Sequence, residues 1–449
     1  MQLKTFPKGG VHPPEYKLTA DKPLKILPVP KQLVIPIQQQ LGRPGEILVK
    51  KKDKVKVGQL IVKATGFVSA NIHSPVSGTV TKIDKVIDAS GYKVDAIVIK
   101  VDDEQVWEEN IDRSEDIKRD ITLTSEQIIK KVEEMGIVGL GGATFPSHVK
   151  LSIPPGKKCE LLIINGVECE PFLTSDHRLM LEKTEQILIG TKILMKALKV
   201  DKAVIGIEAN KPDAIEKMLK FTENYPEISV QPLKVKYPQG GEKQLIKAIT
   251  GREVPSGGLP IDVGVVVHNV GTTYAVYEAV QKNKPLFERV VTITGPSVKQ
   301  PGNYIAKIGT PISALIEAAG GLPEDTAKII AGGPMMGKAL KNTDVPITKG
   351  TSGILILPRS MAYRREVQPC IRCARCVNAC PQGLEPYLLM SVAQKQIWDI
   401  AEQHNVMDCI ECGSCSYICP SSRPLLDYIR FGKRTVGAII RERKQKSKK

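Results

Sequence analysis

Two cysteine runs with the same spacing stand near the end of the chain. The first run reads Cys-x2-Cys-x2-Cys-x3-Cys-Pro from Cys370 to Pro381, and the second repeats it from Cys409 to Pro420. Eight of the ten cysteines lie in these runs. This is the bacterial ligand pattern for a pair of 4Fe-4S clusters, because thiolates bind iron–sulfur clusters and short spacings let successive sulfurs reach one cube.

The fourth cysteine of each run is expected to bind the cluster of the other run, as in two-cluster ferredoxins. The first cysteine set is therefore Cys370, Cys373, Cys376 and Cys419, and the second cysteine set is Cys409, Cys412, Cys415 and Cys380. Paired CxxC motifs also build zinc sites, but zinc requires neither the third cysteine nor the trailing proline. Disulfides are disfavoured because the N-terminus, MQLKTFPKGG, lacks an apolar signal segment and disulfides are rare in reducing compartments.

Composition and charge narrow the possible partners. The chain has 449 residues, 42% of them hydrophobic, which suits a globular protein of about three domains. No apolar run reaches the ~18 residues that a membrane span needs. The net charge is +16, but aromatic residues make up only 4% and no base-stacking motif is present, so we expect no nucleic acid and no DNA as a partner.

Much of the positive charge lies at the C-terminus. After Phe431 there are eight Lys or Arg residues and one Glu, a net charge of +7. Three interpretations stay open: a solvated end, a contact with an anionic membrane surface, or a contact with an acidic electron-carrier protein.

Short apolar runs alternate with turns over residues 34–101, which predicts an all-β module. The Ser-Pro-Val-Ser-Gly turn at 74–78 is similar to that of lipoyl- and biotinyl-type barrel-sandwich hybrids. Those domains carry a modified lysine shortly before the turn, whereas this chain has Phe67 there. We therefore expect a structural module without a swinging arm.

The rest of the chain predicts three further modules. Strand-like runs alternate with helical patterns over 125–285, including one long helix at 177–198, which predicts a parallel α/β sheet. Residues 289–340 predict a small β-grasp-like module with one helix at Ile312–Ala319. The stretch between the cysteine runs is helical in pattern, so we expect a helical ferredoxin domain.

A glycine-rich loop, GIVGLGGATFP at 136–146, is the second candidate site. Clustered glycines let the backbone approach a phosphate and point N–H groups at it. The loop is not the dinucleotide fingerprint, because a helical pattern rather than a strand precedes it. Taken alone, it is more consistent with a tight turn between helices than with a phosphate site.

Polar segments follow three of the predicted strands, at 165–171, 240–243 and 268–272. In open α/β sheets ligands bind outside the carboxyl ends of strands, so these segments predict one site together with the glycine loop. Two iron–sulfur clusters downstream favour a flavin there, because a flavin accepts a hydride and releases single electrons.

The segments GIVGLGGATFPSHVKL, NGVECEP and HNVGTT resemble the NADH-binding flavoprotein subunit of respiratory complex I, over Gln127–Val280. The resemblance implies that the loop binds FMN phosphate and that NADH stacks over the flavin. Val167 and Lys243 depart from that family, which has an aspartate and a glutamate there. The implied catalytic, NADH-facing residues are Phe145, Glu170 and Glu242, and the implied FMN contacts are Gly139, Gly141, Gly142, Lys150, Asn165, Asn269, Val270 and Thr272.

From GGVHPPEYK at 9–17 through YPQGGEKQLI and GGPMMG to the cysteine runs, the chain also resembles the RnfC family of the Rnf electron-transport complex. That resemblance implies an ion-translocating, NAD(H)-linked oxidoreductase (translocase) subunit with FMN and two 4Fe-4S clusters. It implies a peripheral position on the cytoplasmic face of the cell membrane. The implied partners are integral-membrane and ferredoxin-like subunits of the complex.

The expected fold is a multidomain α/β protein. Its predicted parts are a lipoyl-like barrel-sandwich hybrid (1–115), a parallel α/β FMN/NADH-binding domain (116–285), a β-grasp SLBB domain (286–360), a dicluster ferredoxin domain (361–432) and a basic tail (433–449). One alternative is a soluble flavin/iron–sulfur reductase of the cobalamin reductase type, in which the barrel-like module follows the clusters. Another is a docking scaffold with clusters but no flavin.

Overall fold

The N-terminal domain consists of short strands rich in Val and Ile, as its apolar runs and turns predict. The computed structural model of the chain describes residues 2–447. Two antiparallel sheets enclose a core that includes Leu33, Ile61 and Ile97. The first eight strands are β1 (Leu24–Ile26), β2 (Gln32–Pro36), β3 (Glu46–Ile47), β4 (Lys54–Val55), β5 (Leu60–Lys63), β6 (Ile72–His73), β7 (Gly78–Ile87) and β8 (Lys93–Val101). One sheet has the order β2-β8-β7-β4 and the other β3-β5-β6.

Helices and strands alternate in the second domain. Its elements are α1 (Ser125–Glu134), α2 (Ser147–Leu151), β9 (Leu161–Asn165), α3 (Ser175–Glu182), α4 (Thr184–Leu198), β10 (Ala203–Glu208), α5 (Pro212–Thr222), β11 (Ile228–Leu233), α6 (Glu242–Thr250), β12 (Val265–Asn269) and α7 (Val270–Gln281). A 3-10 helix at Pro260–Val263 precedes β12. The strands pair in parallel in the order β11-β10-β9-β12, so their carboxyl ends share one edge. The parallel α/β prediction is confirmed.

The long helix predicted at 177–198 is two helices in the structure. The backbone of Lys183 leaves the helical region, with φ −127° and ψ 33°, and separates α3 from α4. The hydroxyl of Thr184 donates to the carbonyl of Met180 at 2.6 Å. Apolar spacing continues across this break, which is why the pattern alone reads as one helix.

The third domain is a small mixed sheet with one covering helix, as expected of a β-grasp module. Its elements are β13 (Glu288–Thr294), β14 (Gly302–Lys307), α8 (Ile312–Ala318), β15 (Thr326–Ala331), β16 (Lys338–Ala339) and β17 (Gly353–Pro358). Val291, Leu315 and Ile354 are fully buried in its core. The strand order is β1-β14-β13-β17-β15-β16, so β1 from the N-terminus completes this sheet.

The cysteine runs lie in a helical domain. Its helices are α9 (Arg359–Ala362), α10 (Arg375–Asn378), α11 (Pro386–Gln394), α12 (Trp398–Gln403), α13 (Ser414–Ile418) and α14 (Leu425–Lys446), with a 3-10 turn at Val406–Asp408. Two helices, α11 and α12, fill the stretch between the runs, as its helical pattern predicts. Within residues 2–447, every helix is too short or too polar to cross a bilayer.

The 22-residue helix α14 contains most of the segment predicted as a basic tail. Its buried positions Leu425, Ile429 and Val436 follow helical spacing, so one face packs against the domain. The predicted boundary at residue 433 therefore falls inside a helix. Residues 433–446 are part of the cluster domain, while Lys448 and Lys449 lie outside the described residues.

The first 26 residues run across the other domains instead of staying with the barrel. Lys4 pairs with Leu233 at the end of β11, and Val11 pairs with Tyr237. The amide of Gly10 donates to the carbonyl of Ala379 in the cluster domain at 2.9 Å. This N-terminal strap thus contacts the second, third and fourth domains.

Candidate flavin and iron–sulfur sites

The glycine-rich loop connects α1 to α2 and is held against α7. The amide of Gly139 donates to the carbonyl of Phe145 at 2.9 Å, which closes the loop. The amide of Leu140 donates to Oγ1 of the buried Thr272 at 2.9 Å. Thr272 lies in the first turn of α7, so the loop and the N-terminus of that helix are next to each other.

Gly141 and Gly142 are both exposed, but the space beside them differs. A Cβ on Gly141 would lie 2.7 Å from Nδ2 of Asn269, too close for any side chain. A Cβ on Gly142 would meet no protein atom within 4 Å. Neither residue has a positive φ, so the backbone itself does not require glycine there. Open space beside a bare backbone fits a bound phosphate.

Asn269 organises the N-terminus of α7. Its Oδ1 accepts from the amides of Gly271 (2.8 Å) and Thr272 (3.3 Å), an N-cap that follows from an Asn directly before the helix. Its Nδ2 donates to Oδ2 of Asp176 at 2.7 Å. Burial, followed by the charge of nearby Glu168, raises the pKa of Asp176 to about 7. Val270, the first residue of α7, is fully buried.

Lys150 reaches from α2 to the end of β12 and the start of α6. Its Nζ lies 2.6 Å from Oε1 of Glu242 and donates to the carbonyl of Val267 at 3.1 Å. His268 lies next to Lys150. Burial, followed by the charge of Lys150, lowers the pKa of His268 to about 3, so the imidazole of His268 is neutral. Its Nε2 is buried without a protein partner.

Asn165 joins the loops that follow β9 and β11. Its Nδ2 donates to the carbonyl of Gly240 at 2.8 Å, and its Oδ1 accepts from the amide of Val167 at 3.2 Å. In the sheet register, Asn165 is the direct partner of Asn269. The structure therefore brings the three polar segments and the glycine loop together at one edge, where Nε2 of the fully buried Gln239 also has no partner.

The three predicted NADH-facing residues do not share one orientation. Phe145 is half-buried in the glycine loop, and Glu242 begins α6. The carboxylate of Glu170 instead accepts from the amides of Met335 (3.2 Å) and Met336 (2.7 Å) in the third domain. Burial raises the pKa of Glu170 to about 7. Its predicted contact with NADH stays a prediction.

The two positions that depart from the complex I pattern both make contacts within the protein. Val167 is buried, and its carbonyl accepts from Nζ of Lys211 at 2.8 Å. Nζ of Lys243 donates to the carbonyl of Pro255 at 3.1 Å. A buried lysine thus holds the backbone where the related family has an aspartate.

Sequence reasoning missed three cations that fix the site. Nζ of Lys17 donates to the carbonyls of Glu168, Glu170 and Leu173 at 2.8–2.9 Å, and burial lowers the pKa of Lys17 to about 8. Lys17 is the last residue of the GGVHPPEYK segment, and this motif could have indicated that Lys17 belongs to the site. Lys349 and Arg289, both from the third domain, hold the glycine loop and stand in no motif.

Lys349 and Arg289 bind backbone carbonyls at the start and in the middle of the loop. Nζ of Lys349 donates to the carbonyls of Gly136 and Asn71, each at 2.7 Å. Arg289 donates to the carbonyl of Leu140 at 3.2 Å and to that of Lys349. These donors occupy loop carbonyls, and the amides of Gly139 and Leu140 are used within the protein, which leaves the N–H groups near Gly141 and Gly142 for a ligand.

The second cysteine set lines one enclosed cavity in the cluster domain. Cys380, Cys409, Cys412 and Cys415 are drawn from both runs, as the crossed pattern predicts, and share the cavity wall with Leu389 and Ile429. Burial, and then the charges of the other three thiols, raise the pKa of Cys415 to about 12. Four thiols around an apolar cavity fit a 4Fe-4S cluster. Among residues 2–447 no three such side chains converge on a single-ion position; these thiols surround a space instead.

The first cysteine set is more open. Burial raises the pKa of Cys376, and Cys419 from the other run is near enough to add to that rise. Cys370 and Cys373 are exposed, and Ile371 between them is 67% exposed. One cysteine set is thus enclosed and the other lies at the surface.

The second domain, which contains the glycine loop, contacts the second cysteine set directly. Oη of the buried Tyr237 donates to the carbonyl of Cys412 at 2.8 Å. Nε2 of Gln244, on α6, donates to the carbonyl of Pro381 at 3.4 Å. The edge that carries the polar segments is therefore the edge that faces this cluster site.

Comparison with known proteins agrees with this architecture domain by domain. Four family models match: the RnfC barrel sandwich hybrid domain (4–104), the Nuo51 FMN-binding domain (132–278), the SLBB domain (290–339) and the 4Fe-4S dicluster domain (362–420). The four-part fold class is confirmed, as are FMN and two 4Fe-4S clusters as cofactors. A solved NAD+-reducing [NiFe]-hydrogenase in the H2-reduced state shares the fold, with a TM-score of 0.50 and 20% identity over 69% of this chain and 62% of that one.

Curated relatives match almost from end to end, and each is a subunit of a larger complex. The chain is 49% identical to its counterpart in the proton-translocating ferredoxin:NAD(+) oxidoreductase complex of Clostridium ljungdahlii, over 96% of this chain and 93% of that protein. It is 45% identical to the counterpart in the Na(+)-translocating ferredoxin:NAD(+) oxidoreductase complex of Acetobacterium woodii, over 97% and 98%. The counterpart in the ion-translocating oxidoreductase complex of Rhodobacter capsulatus is 43% identical over 85% and 74%. The chain therefore belongs to the RnfC family of ion-translocating oxidoreductase complexes.

Proposed function

We propose that the chain is the peripheral electron-transfer subunit of a membrane-bound, ion-translocating ferredoxin:NAD+ oxidoreductase complex. The observation that carries this proposal is the contact between Tyr237 of the FMN-binding domain and Cys412 of the enclosed cysteine set. When bound, FMN supplies hydride exchange with NAD(H) and single-electron exchange with iron–sulfur clusters. A domain for two-electron chemistry thus adjoins a site for one-electron chemistry in one chain.

The residues at the sheet edge have separable roles in this proposal. The amides near Gly141 and Gly142 and the N-terminus of α7 bind the FMN phosphate, where a helix end favours an anion. Asn165 and Asn269 fix the carboxyl ends of β9 and β12, which lie at the base of the proposed FMN site. Lys150 is held by Glu242 at 2.6 Å and supplies positive charge beside the neutral His268. Phe145 and Glu242 face NAD(H).

We place the exposed first cysteine set at the end that meets the partner. The second set is enclosed and contacts the FMN-binding domain through Tyr237 and Gln244. Cys370 and Cys373 of the first set are exposed. Electron transfer between proteins needs close approach, which an exposed cluster allows. In this proposal, electrons pass between the FMN-binding domain and the first set by way of the second set.

Partners and location follow from the family. The relatives are named as subunits of complexes that translocate protons or sodium ions. We propose the same kind of assembly here, with integral-membrane and ferredoxin-like subunits as partners and the cytoplasmic face of the membrane as the location. The exposed basic end of α14 is one candidate contact with that assembly.

Module order separates this proposal from a reductase of the cobalamin type. The barrel module matches residues 4–104 and precedes the FMN-binding domain, the order expected of RnfC. An experiment distinguishes the proposed function from the alternative of a docking scaffold without flavin. The full chain, reconstituted anaerobically with iron, sulfide and FMN, should bind one FMN and about eight irons. It should also reduce a one-electron dye with NADH. A protein that holds only zinc, or shows no flavin absorbance after reconstitution, would sink the proposal.

A further inference from the structure

Helix α14 places two cations beside a ligand loop of the second cysteine set. Nζ of Lys433 donates to the carbonyl of Cys409 at 2.6 Å. The same ammonium lies 3.2 Å from Oε1 of Glu411, and Nε of Arg430 lies 3.1 Å from Oε2 of that carboxylate. Glu411 stands in the loop between Cys409 and Cys412. Arg430 and Lys433 are three residues apart on the helix, so both reach the loop from one face of α14.

The charges of these three side chains do not cancel. Arg430, Glu411 and Lys433, here called the charge triad, combine two cations with one carboxylate and so carry a net charge of +1. Their side chains are 26–35% exposed, so water screens this charge only in part. The ion pairs also hold the three groups in place, and the charge therefore has a fixed position beside the ligand loop.

The enclosed cavity makes a nearby charge consequential. Reduction adds a negative charge to a 4Fe-4S cluster, and an apolar cavity disfavours that charge because little water reaches it. Hydrogen bonds to the sulfurs offset part of this cost: the amide of Leu384 donates to Sγ of Cys380 at 3.3 Å, and the amide of Glu411 donates to Sγ of Cys409 at 3.4 Å. The net positive charge of the charge triad acts in the same direction as these hydrogen bonds.

We propose that the charge triad sets the reduction potential of the enclosed cluster, with Lys433 and Arg430 raising the potential and Glu411 lowering it. This assignment deepens the proposed function and rests on it, since it concerns the cluster through which electrons pass between the FMN-binding domain and the first cysteine set. Without the two cations, the enclosed cluster would be a weaker acceptor for electrons from the flavin. Part of the redox chemistry is thus encoded in a helix that follows both cysteine runs.

The test is a redox titration of the reconstituted full chain followed by electron paramagnetic resonance, which gives cluster potentials without turnover. Lys433→Gln should lower the ratio of reduced to oxidised enclosed cluster about tenfold at a fixed solution potential, the effect of removing a unit charge some ångströms away in a medium of intermediate dielectric constant. That factor corresponds to about 59 mV for one electron. Glu411→Gln should raise the ratio by a similar factor. Lys433→Arg, which keeps the charge, and the double variant Lys433→Gln with Glu411→Gln, which keeps the net charge, should both stay near the unmodified potential.

Arg434→Gln is the matched control, because it removes the same charge from the next residue of α14. Arg434 is exposed and contacts the hydroxyl of Tyr92 in the barrel domain at 3.1 Å, so both cluster potentials should stay unchanged in this variant. The potential that moves in the test variants should be the one that persists in Cys419→Ala, which lacks a ligand of the first cluster.

Two outcomes would overturn the inference and leave the proposed function intact. One is an unchanged potential in both Lys433→Gln and Glu411→Gln. The other is a shift of both variants in the same direction, which would report a disturbed ligand loop instead of a charge effect. If Lys433→Gln fails to assemble the enclosed cluster, the direction of the shift in Glu411→Gln decides. An unmodified chain that forms no 4Fe-4S clusters on reconstitution would instead remove the proposed function, and this inference with it.

Discussion

Gly141 and Gly142 are neighbours in one loop, yet the structure predicts opposite consequences for adding a methyl group to each. A Cβ on Gly142 meets no protein atom within 4 Å, and the residue does not have a positive φ. Gly142→Ala should therefore fold normally. It should even raise the free energy of unfolding of the flavin-free protein by about 0.4–1 kcal/mol, because alanine restricts the unfolded chain.

The same methyl group should weaken FMN binding, because it occupies the space that the proposal gives to the phosphate. A hydrogen bond to a charged group contributes about 1.5–3 kcal/mol. Losing one such contact corresponds to about a 10- to 150-fold rise in the Kd for FMN. Gly141→Ala differs, since its Cβ would lie 2.7 Å from Nδ2 of Asn269 and disturb the cap of α7. That variant should lose FMN affinity and about 1 kcal/mol of stability together.

Two titrations on flavin-free protein with intact clusters test whether each variant changes FMN affinity, stability or both. Quenching of FMN fluorescence gives the Kd, and urea unfolding gives the stability. Gly437→Ala is the control for a general glycine effect, because its Cβ would make only an ordinary contact, 3.4 Å from Met407, far from the loop. If Gly142→Ala gained stability but bound FMN as tightly as the unmodified chain, the phosphate would have to lie elsewhere.

Three shorter predictions address the clusters, the loop support and the basic helix. Cys419→Ala should lower the iron content from about eight to about four and spare the second cysteine set; loss of that set's cluster would refute the crossing. Burial lowers the pKa of Lys349 from its usual 10.5 to about 7, so between these values the unfolded chain binds more protons and stability rises with pH. Lys349→Met should flatten that rise in urea unfolding at pH 7 and 9, and an unchanged slope would contradict the burial argument. Replacing the exposed Arg441, Lys444 and Lys446 by Gln should weaken attachment to membranes in a salt-sensitive way without changing NADH-to-dye reduction; attachment that survives a high-salt wash would assign docking to another surface.

The prediction for the basic helix replaces charged side chains instead of deleting the segment, because a deletion would also remove buried and hydrogen-bonded residues. Val436, fully buried, lies beyond residue 433, and Nζ of Lys433 donates to the carbonyl of Cys409 at 2.6 Å. Arg434 contacts the hydroxyl of Tyr92 in the barrel domain at 3.1 Å. Deleting the segment would damage the enclosed cysteine set itself. In the sequence only the net charge of this segment was considered, and the helical spacing of its apolar residues was a signal that went unused.

How much of the molecule was predictable depends on how local the signal is. The cysteine runs and the glycine loop are short motifs whose chemistry is set by neighbours in sequence, and the structure draws the second cysteine set together from both runs. The strand ends at Asn165 and Asn269 were predictable because parallel strands share their carboxyl edge. The break at Lys183 was not, since apolar periodicity continues through it and only the backbone departs.

Long-range partners were beyond the reach of the sequence. Lys17 holds three carbonyls more than 150 residues away, and the N-terminal strap pairs with β14 of the third domain. Glu170 sits in a motif that implied a nucleotide contact, yet its carboxylate holds the amides of Met335 and Met336. Such contacts have no spacing rule, because they depend on how whole domains pack.

A different set of contacts from distant parts of the chain converges on the glycine loop, and this has a physical consequence. The loop has little regular structure of its own, and each support comes from a different part of the chain: Thr272 from α7, Lys349 and Arg289 from the third domain, and Leu41 from the barrel. A loop held at several carbonyls presents its N–H groups without further ordering, which lowers the entropic cost of binding an anion. Residues 116–285 alone keep only the support from Thr272. An isolated FMN-binding domain should therefore bind FMN more weakly than the full chain, even though every predicted FMN-contact residue is present in it.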